Sequence, residues 1–301
     1  MQRAPGPSRP SPKATGAERT TSERGRPVAA GNQSGIVTTL LAPAKLTVSL
    51  RVTGVRADGY HLVDAEVVSL DLADELTFGE GSGLEVVDDA AGGPGAGSPA
   101  VLPPADGRLR PGVPAAGGLP PGVPVGEDNL VRRALQAVGR EAHVRLVKRI
   151  PAGGGLGGGS ADAAAVLRWA GTDDLGLAAS LGADVPFCVR GGRARVCGIG
   201  EQLAQLPFEE RTFTLVTPPF GCSTAAVYRA WDELGGPTAD GPNDLEPAAL
   251  AVEPGLARWR DRLADATGRA PVLAGSGSTW YVEGAFPGDA RVVVRTVPAY
   301  G

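Results

Sequence analysis

The sequence predicts an α+β fold, because strand and helix patterns both occur in it but do not alternate as regular βαβ units. From Leu46 to Thr53, apolar and polar side chains alternate with a period of two, which predicts a half-buried strand. The turn Asp58–Gly59 then precedes a second apolar run, Val63–Leu72, so we expect an antiparallel hairpin. Later in the chain, residues 151–170 form a glycine-rich loop that leads into a helical pattern.

The other ordered segments predict one further helix and several short strands. Asp128 is expected to cap a helix whose apolar stripe begins at Leu130. The strands are predicted at His143–Ile150, Phe213–Thr217, Val272–Ala274, Thr279–Val282 and Arg291–Arg295.

Composition and charge exclude several classes of protein. Hydrophobic residues make up 42% and charged residues 21% of the 301 residues, as in an ordinary globular protein. The net charge of -4 gives no basic field, so no nucleic-acid partner is expected. No apolar run reaches the roughly 18 residues of a membrane helix, so no membrane partner is expected either. The 3 cysteines and 2 histidines show no metal-binding or disulfide spacing, which predicts a reducing compartment and no protein-held metal.

Two segments have compositions that disfavour regular structure. Residues 1–35 are rich in Pro, Gly, Ser and Arg and have hardly any large apolar side chains, so they are predicted to be a disordered extension. About half of the residues from 90 to 126 are Gly or Pro, which predicts a surface insertion with no assigned function.

The glycine-rich loop is the most informative feature of the chain. Its sequence, with the helical pattern that follows, is PAGGGLGGGSADAAAVLRWA. Glycines let backbone N–H groups converge on one cavity, and the first turn of a helix adds partial positive charge, so the segment suits phosphate. Ser160 is the expected N-cap of the helix.

Other interpretations of this loop are weaker. A flexible linker does not normally continue at once into a capped helix. Gly153, Gly155 and Gly158 satisfy the GxGxxG pattern of dinucleotide-binding folds, but the preceding strand is polar on one side. A P-loop is excluded because the chain has no GxxxxGK[ST] pattern.

Two charged residues are candidates for phosphoryl transfer, which needs a phosphate cradle, a cation and an aspartate near the acceptor hydroxyl. Lys45 lies at the start of the alternating strand pattern, and Asp184 precedes the apolar residues Val185–Phe187. Taken singly, Lys45 would be an edge-strand lysine and Asp184 a turn or cap aspartate.

Together, these segments resemble the GHMP kinase superfamily over about residues 42–283. The resemblance lies in three motifs, APAKL (42–46), PAGGGLGGGSADAA (151–164) and LAGSGST (273–279). Three further segments resemble one branch of that superfamily, whose acceptor is an alcohol linked to cytidine diphosphate. These are RADGYH (56–61), LGADVPF (181–187) and NDLE (243–246).

The resemblance implies a role for each matching residue. Lys45 and Asp184 match the catalytic pair, in which the aspartate accepts the proton of the acceptor hydroxyl and the lysine keeps it ionised. The implied ligand is ATP with Mg²⁺, with Ser160 near the ion and no tightly bound cofactor. The implied ATP-binding residues are Pro151, Ala152, Gly153, Gly154, Gly155, Leu156, Gly157, Gly158, Gly159, Ser160 and Ala161. The implied substrate-binding residues are Thr47, Tyr60, His61, Tyr228, Gly275, Ser276 and Gly277.

The resemblance also implies a two-domain architecture. An N-terminal domain at 36–203, like domain 2 of ribosomal protein S5, would carry the ATP loop. A ferredoxin-like C-terminal domain would span 207–301, with the site in the cleft between the two. A monomer or homodimer in a bacterial cytoplasm, rather than a plastid, is expected.

Three departures from the family pattern leave other functions open. Thr47 replaces the usual asparagine, Ser278 replaces the usual proline, and the segment 170–180 is shorter than typical. The alternatives are a GHMP kinase for another small alcohol and a paralogue that binds nucleotide without catalysis. A dehydrogenase is a more distant alternative, which failure to bind NAD would discard.

Overall fold

The computed structural model describes residues 37–88, 123–124 and 126–300. The predicted extension at 1–35 and most of the predicted insertion at 90–126 therefore lie outside the described residues. Within the described part, no helix is long and apolar enough to span a membrane.

The first sheet is built around the long hairpin that the sequence predicts. Its strands are β1 (Thr38–Val55), β2 (His61–Gly79), β3 (Gly83–Asp88), β4 (His143–Lys148), β5 (Arg193–Gly198) and β6 (Gln202–Gln205). β1 pairs with β2 along its whole length, while β5 and β4 pair with the early and late parts of β2. All of these pairs are antiparallel, whereas β3 joins the outer edge of β4 in parallel and β6 joins β5 antiparallel.

Four helices accompany this sheet, and the second of them is largely buried. The helices are α1 (Leu130–Ala137), α2 (Gly158–Trp169), α3 (Leu175–Leu181) and α4 (Val185–Arg190). Residues 161–167 of α2 are all buried, and α2 packs against α1, α4 and β1. Alanine dominates this stretch because small side chains let a helix approach its neighbours on every side.

The second sheet has four antiparallel strands in the order β10-β7-β9-β8. These are β7 (Thr212–Val216), β8 (Val272–Leu273), β9 (Trp280–Glu283) and β10 (Val292–Arg295), and the accompanying helices are α5 (Thr224–Glu233), α6 (Glu246–Val252) and α7 (Leu256–Thr267). The two sheets with their helices confirm the α+β prediction. The predicted first domain ends at residue 203, inside β6, and the predicted second domain begins at 207, ahead of β7. This division stays a prediction, since the described residues belong to one compact unit.

The predicted cap of α1 and the predicted end of β4 were wrong. Asn129, not Asp128, caps α1, and its side chain accepts a hydrogen bond from the amide of Val131 at 2.8 Å. β4 ends at Lys148 rather than Ile150 because the amides of Arg149 and Ile150 are donated to the carboxylate of Asp74, at 2.6 and 2.8 Å. Those amides are therefore not free to extend the ladder.

A short segment ahead of α6 joins the second half of the chain to β1. The amide of Leu50 donates to the carbonyl of Pro242 at 2.8 Å, and the amide of Asp244 donates to the carbonyl of Leu50 at 3.0 Å. The carboxylate of Asp244 also binds Arg51 and the amide of Val52, at 2.7 and 3.0 Å. These contacts fix residues 242–244 against the strand that carries Lys45.

Candidate active site

The glycine-rich loop follows β4 and packs tightly against two other segments of the chain. Gly155 has a φ of +80°, and a Cβ atom there would lie 2.6 Å from the carbonyl oxygen of Ala274. Gly157 has a φ of +70°, and a Cβ there would lie 2.6 Å from Cγ of Lys45. Both positions therefore require glycine for conformation and for space.

Helix α2 begins at Gly158 with no side-chain cap, so the prediction that Ser160 is the N-cap was wrong. The capping residue is Gly157, and the helical hydrogen bonds start with the amide of Ala161 donating to the carbonyl of Gly157 at 2.8 Å. The first amides of α2 thus remain available for an anion, together with the partial positive charge of the helix end. The Ser160 hydroxyl has no hydrogen-bond partner within the described part of the chain. Ser160 lines a cavity together with the other residues of the loop, 151–159.

Lys45 is held beside the loop by a break in strand pairing. The register of β1 and β2 shifts between Pro43 and Lys45, and the Lys45 amide donates instead to the carbonyl of Leu156 at 2.9 Å. The side chain is only 9% exposed, and its Nζ lies 3.5 Å from Oδ2 of Asp184. The strand that carries Lys45 and the loop that precedes α2 are therefore joined directly.

Asp184 occupies the capping position of α4, but its carboxylate makes no capping hydrogen bond. The side chain is 48% exposed, and it makes its ion pair with Lys45. The carboxylate is therefore paired with a cation and still open to a ligand. Lys45 and Asp184, the predicted catalytic pair, therefore lie together although they are 139 positions apart in the sequence (184 − 45).

Thr47 and the glycine turn at 273–279 complete the surroundings of Lys45. Nζ of Lys45 donates to Oγ1 of Thr47 at 3.1 Å, and a Cβ on Gly275 would lie 3.7 Å from the same Nζ. Asn243 holds the turn, since its side-chain amide donates to the carbonyls of Leu273 and Gly275 at 2.9 and 2.8 Å. The threonine that replaces the family's asparagine thus supports the lysine through its hydroxyl.

Behind the loop lies a buried charge cluster that sequence reasoning missed. Nζ of Lys148 binds a carboxylate oxygen of Asp74 and, at 2.8 Å, Oδ2 of Asp162. Burial raises the pKa of Asp162 to about 8, although the charge of Lys148 acts in the opposite direction. Burial disfavours the charged form of Lys148 and acts to lower its pKa. The charges of Asp162 and Asp74, and the hydrogen bonds to them, outweigh burial, so the pKa of Lys148 is raised. One lysine therefore holds the end of β4, strand β2 and helix α2 together.

A cavity of about 390 Å³ unites these parts. It is lined by Lys45, Val123, Pro124, Asp128, Asn129, Leu130, Lys148, Ile150, Asp162, Asp184, Thr224, Ser276 and residues 151–160. The predicted ATP-binding residue Ala161 is buried inside α2 and does not line this cavity, because it points into the core. Ser276 is fixed by a 2.9 Å hydrogen bond between its hydroxyl and that of Thr224.

The predicted substrate residues His61 and Tyr228 form an aromatic cluster with Trp231. The ring centroids of His61 and Tyr228 are 4.7 Å apart, and Trp231 meets His61 edge-on at 5.5 Å. Burial, together with the negative charge of nearby Asp184, raises the pKa of Tyr228 to about 12. The phenol therefore stays protonated, and Asp184 is close enough to Tyr228 to affect its pKa.

Tyr60 is not part of this cluster. Its side chain is exposed, and the guanidinium of Arg56 lies 5.7 Å from the centre of its ring. Neighbouring positions in extended chain face opposite ways, which separates Tyr60 from His61.

Two signals in the sequence could have revealed the buried cluster. Lys148 follows the apolar residues Leu146 and Val147 in a strand, and Asp162 stands within an alanine-rich helix that must be buried. A charge at such a position needs a partner of opposite sign. The identity of the partners, Asp74 among them, depends on strand pairing and has no local signal.

Replacing Thr47 with Val is expected to lower kcat about tenfold, because the Lys45 ammonium loses one buried acceptor of its charge-assisted hydrogen bond. Steady-state kinetics would measure the change. Thr53→Val, which alters an exposed threonine on the same strand, is the matched control. An unchanged kcat in Thr47→Val would show that the hydroxyl does not support the lysine.

Comparisons with known proteins show which family the chain resembles. Residues 129–192 match the family model described as the GHMP kinases N terminal domain. A protein of Paracoccus denitrificans named 4-diphosphocytidyl-2-C-methyl-D-erythritol kinase is 38% identical, over 80% of this chain and 84% of that protein. One of Pelotomaculum thermopropionicum with the same name is 37% identical, over 81% and 88%.

A solved structure of a kinase of the same kind is also similar to this chain. The crystal structure of a 4-(cytidine 5'-diphospho)-2C-methyl-D-erythritol kinase is 29% identical to this chain, with a TM-score of 0.63. The match covers 86% of this chain and 98% of that chain.

Proposed function

This chain belongs to the 4-diphosphocytidyl-2-C-methyl-D-erythritol kinases of the GHMP superfamily, and from that membership we propose its reaction and the residues that perform it. The reaction transfers the γ-phosphoryl group of ATP to the C2 hydroxyl of 4-diphosphocytidyl-2-C-methyl-D-erythritol. It is a step of the non-mevalonate pathway to isoprenoids, and we assign it to the bacterial cytoplasm. The observation that carries the proposal is the Lys45–Asp184 ion pair in the lining of the glycine-loop cavity.

Asp184 is the base of this reaction. Its carboxylate accepts the proton of the C2 hydroxyl as the hydroxyl oxygen attacks the γ-phosphorus, and the bond to the bridging oxygen of ADP breaks. Lys45, whose Nζ lies 3.5 Å from this carboxylate, orients the hydroxyl. The products are ADP, the 2-phosphate and the proton that Asp184 releases to solvent.

The phosphates of ATP are assigned to the loop and to the start of α2. The free amides of Gly158, Gly159 and Ser160 and the glycine backbone provide donors without side-chain obstruction. The same cavity is also lined by Val123, Pro124, Asp128, Asn129 and Leu130, where the nucleoside is expected.

A magnesium ion that accompanies ATP fits the oxygen donors of this cavity. The Ser160 hydroxyl lines it and is a hard ligand of the kind that this ion prefers, as are the phosphate oxygens of ATP. When bound, the ion supplies positive charge that offsets the charge of the phosphates.

Release of ADP by the purified protein, with ATP, Mg²⁺ and the diphosphocytidyl substrate, tests the proposal. Turnover is expected with this substrate and not with homoserine or mevalonate. Turnover with one of those alcohols instead would make the chain a kinase of a different acceptor. ATP binding without turnover of any acceptor would favour a non-catalytic nucleotide-binding role.

A further inference from the structure

Asp232 lies on α5 outside the cavity, and its carboxylate holds the ring of His61. Oδ1 of Asp232 is 2.8 Å from Nε2 of His61. The carboxylate side chain is 50% exposed, whereas the His61 side chain is only 11% exposed. The aspartate therefore approaches a largely buried imidazole from the solvent side.

The ring of His61 has little freedom to turn. Tyr228 packs against it with a 34° angle between the ring planes, and Trp231 meets it at 84°. Nδ1 of His61 has no hydrogen-bond partner among the residues that the structure describes, so one ring nitrogen is left for a ligand. The adjacent aromatic faces suit a flat heterocycle such as a nucleobase.

The contact with Asp232 decides which hydrogen-bonding role Nδ1 plays. An ionised carboxylate can only accept a hydrogen bond, so Nε2 of His61 must carry the ring proton. In the neutral imidazole, Nδ1 is then an acceptor. A base with an amino group at its edge can donate to that nitrogen, whereas a carbonyl oxygen in the same place would face it lone pair to lone pair.

We propose that Asp232 is a positioning residue, which fixes His61 as the Nε2–H tautomer and thereby selects cytosine over uracil. The inference rests on the proposed function, since it assigns the base of the diphosphocytidyl group to the cluster of His61, Tyr228 and Trp231. The two bases differ at the ring edge, where cytosine has an amino group and uracil has a carbonyl oxygen.

Binding measurements test the effect on selectivity without requiring turnover. Affinities for CDP and UDP are measured by calorimetry at pH 8, with saturating ADP and Mg²⁺ so that the ATP site is filled. The unaltered chain is expected to prefer CDP, and Asp232→Ala is expected to lose about tenfold of that preference, the value of one hydrogen bond. Asp232→Asn should keep most of it, because the amide oxygen still accepts from Nε2–H. Glu233→Ala, at the neighbouring exposed carboxylate of the same helix, should leave it unchanged.

The tautomer itself is measured by ¹⁵N NMR of the imidazole rings. The chain has 2 histidines, so His143→Gln assigns both signals, and exposed His143 is the internal reference. His61 is expected to show a proton on Nε2 in the unaltered chain and a mixture of tautomers in Asp232→Ala. An unchanged tautomer in that variant, an unchanged CDP preference, or equal affinity of the unaltered chain for CDP and UDP would overturn the proposal.

These outcomes are separable from those of the proposed function. A CDP preference that depends on Asp232, in a protein that does not phosphorylate the substrate, would support the role of Asp232 and refute the reaction. Efficient phosphorylation with no dependence of the CDP preference on Asp232 would support the reaction and refute the role.

Discussion

Replacing Asp184 with Asn is expected to lower kcat by about a hundredfold to ten-thousandfold, the usual contribution of a general base. The amide keeps the size of the side chain but cannot take the proton of the acceptor hydroxyl. Affinity for ATP should change little, because the phosphates are assigned to the amides of the loop and of α2. Steady-state ADP release measures kcat, and calorimetry measures the affinity.

Asp173→Asn is the matched control for this prediction. Asp173 is an aspartate with a side chain 80% exposed, 3.4 Å from Arg190, and its loss should leave kcat unchanged. Combining Lys45→Met with Asp184→Asn should reduce kcat little further than Asp184→Asn alone, since residues that act as one unit are not additive. A kcat for Asp184→Asn within about threefold of the unaltered enzyme would exclude Asp184 as the base.

Features with a local signal were predictable from the sequence. The hairpin was one, because alternation over Leu46–Thr53 and the turn at Asp58–Gly59 are both encoded in neighbouring residues. The glycine loop was another, since few structures other than a phosphate cradle need glycines directly ahead of a buried helix. The pairing of Lys45 with Asp184 was expected only from the resemblance to known kinases.

Features that depend on strand pairing were not predictable. Lys148 meets Asp74, which is 74 positions away, because β4 pairs with the late part of β2. Asn243 holds the turn at 273–275 from 30 positions or more upstream. Such partners are brought together by the fold, and nothing in the residues around them specifies the choice. The prediction of the N-cap of α2 failed for a different reason. The side chain of Ser160 is favourable for capping, but Gly157, in the left-handed conformation, caps the helix three residues earlier.

Replacing Gly155 with Ala is expected to abolish nucleotide binding and to destabilise the fold by several kcal/mol. The left-handed conformation alone costs a non-glycine residue about 1–2 kcal/mol. The larger effect is overlap, because the new Cβ would lie 2.6 Å from the carbonyl oxygen of Ala274 and 2.7 Å from Cα of Gly277. Both contacts are with backbone, which cannot rotate away as a flexible side chain can. The glycine turn at 273–279 must therefore move, and the loop with it. Thermal unfolding and the Kd for ADP measure the two consequences.

Gly171→Ala separates conformational strain from overlap. Gly171 follows α2 with a φ of +74°, close to that of Gly155, but a Cβ there would meet nothing within 4 Å. This control should therefore lose only the 1–2 kcal/mol or so of backbone strain and keep the Kd for ADP. Equal loss of stability in the two variants, with ADP binding retained in both, would show that the contact between the glycine-rich loop and the turn at 273–279 does not hold the loop in place. A selective loss of ADP binding in Gly155→Ala would instead show that the loop depends on the turn at 273–279, and therefore on Asn243, for the positions of its phosphate-binding amides.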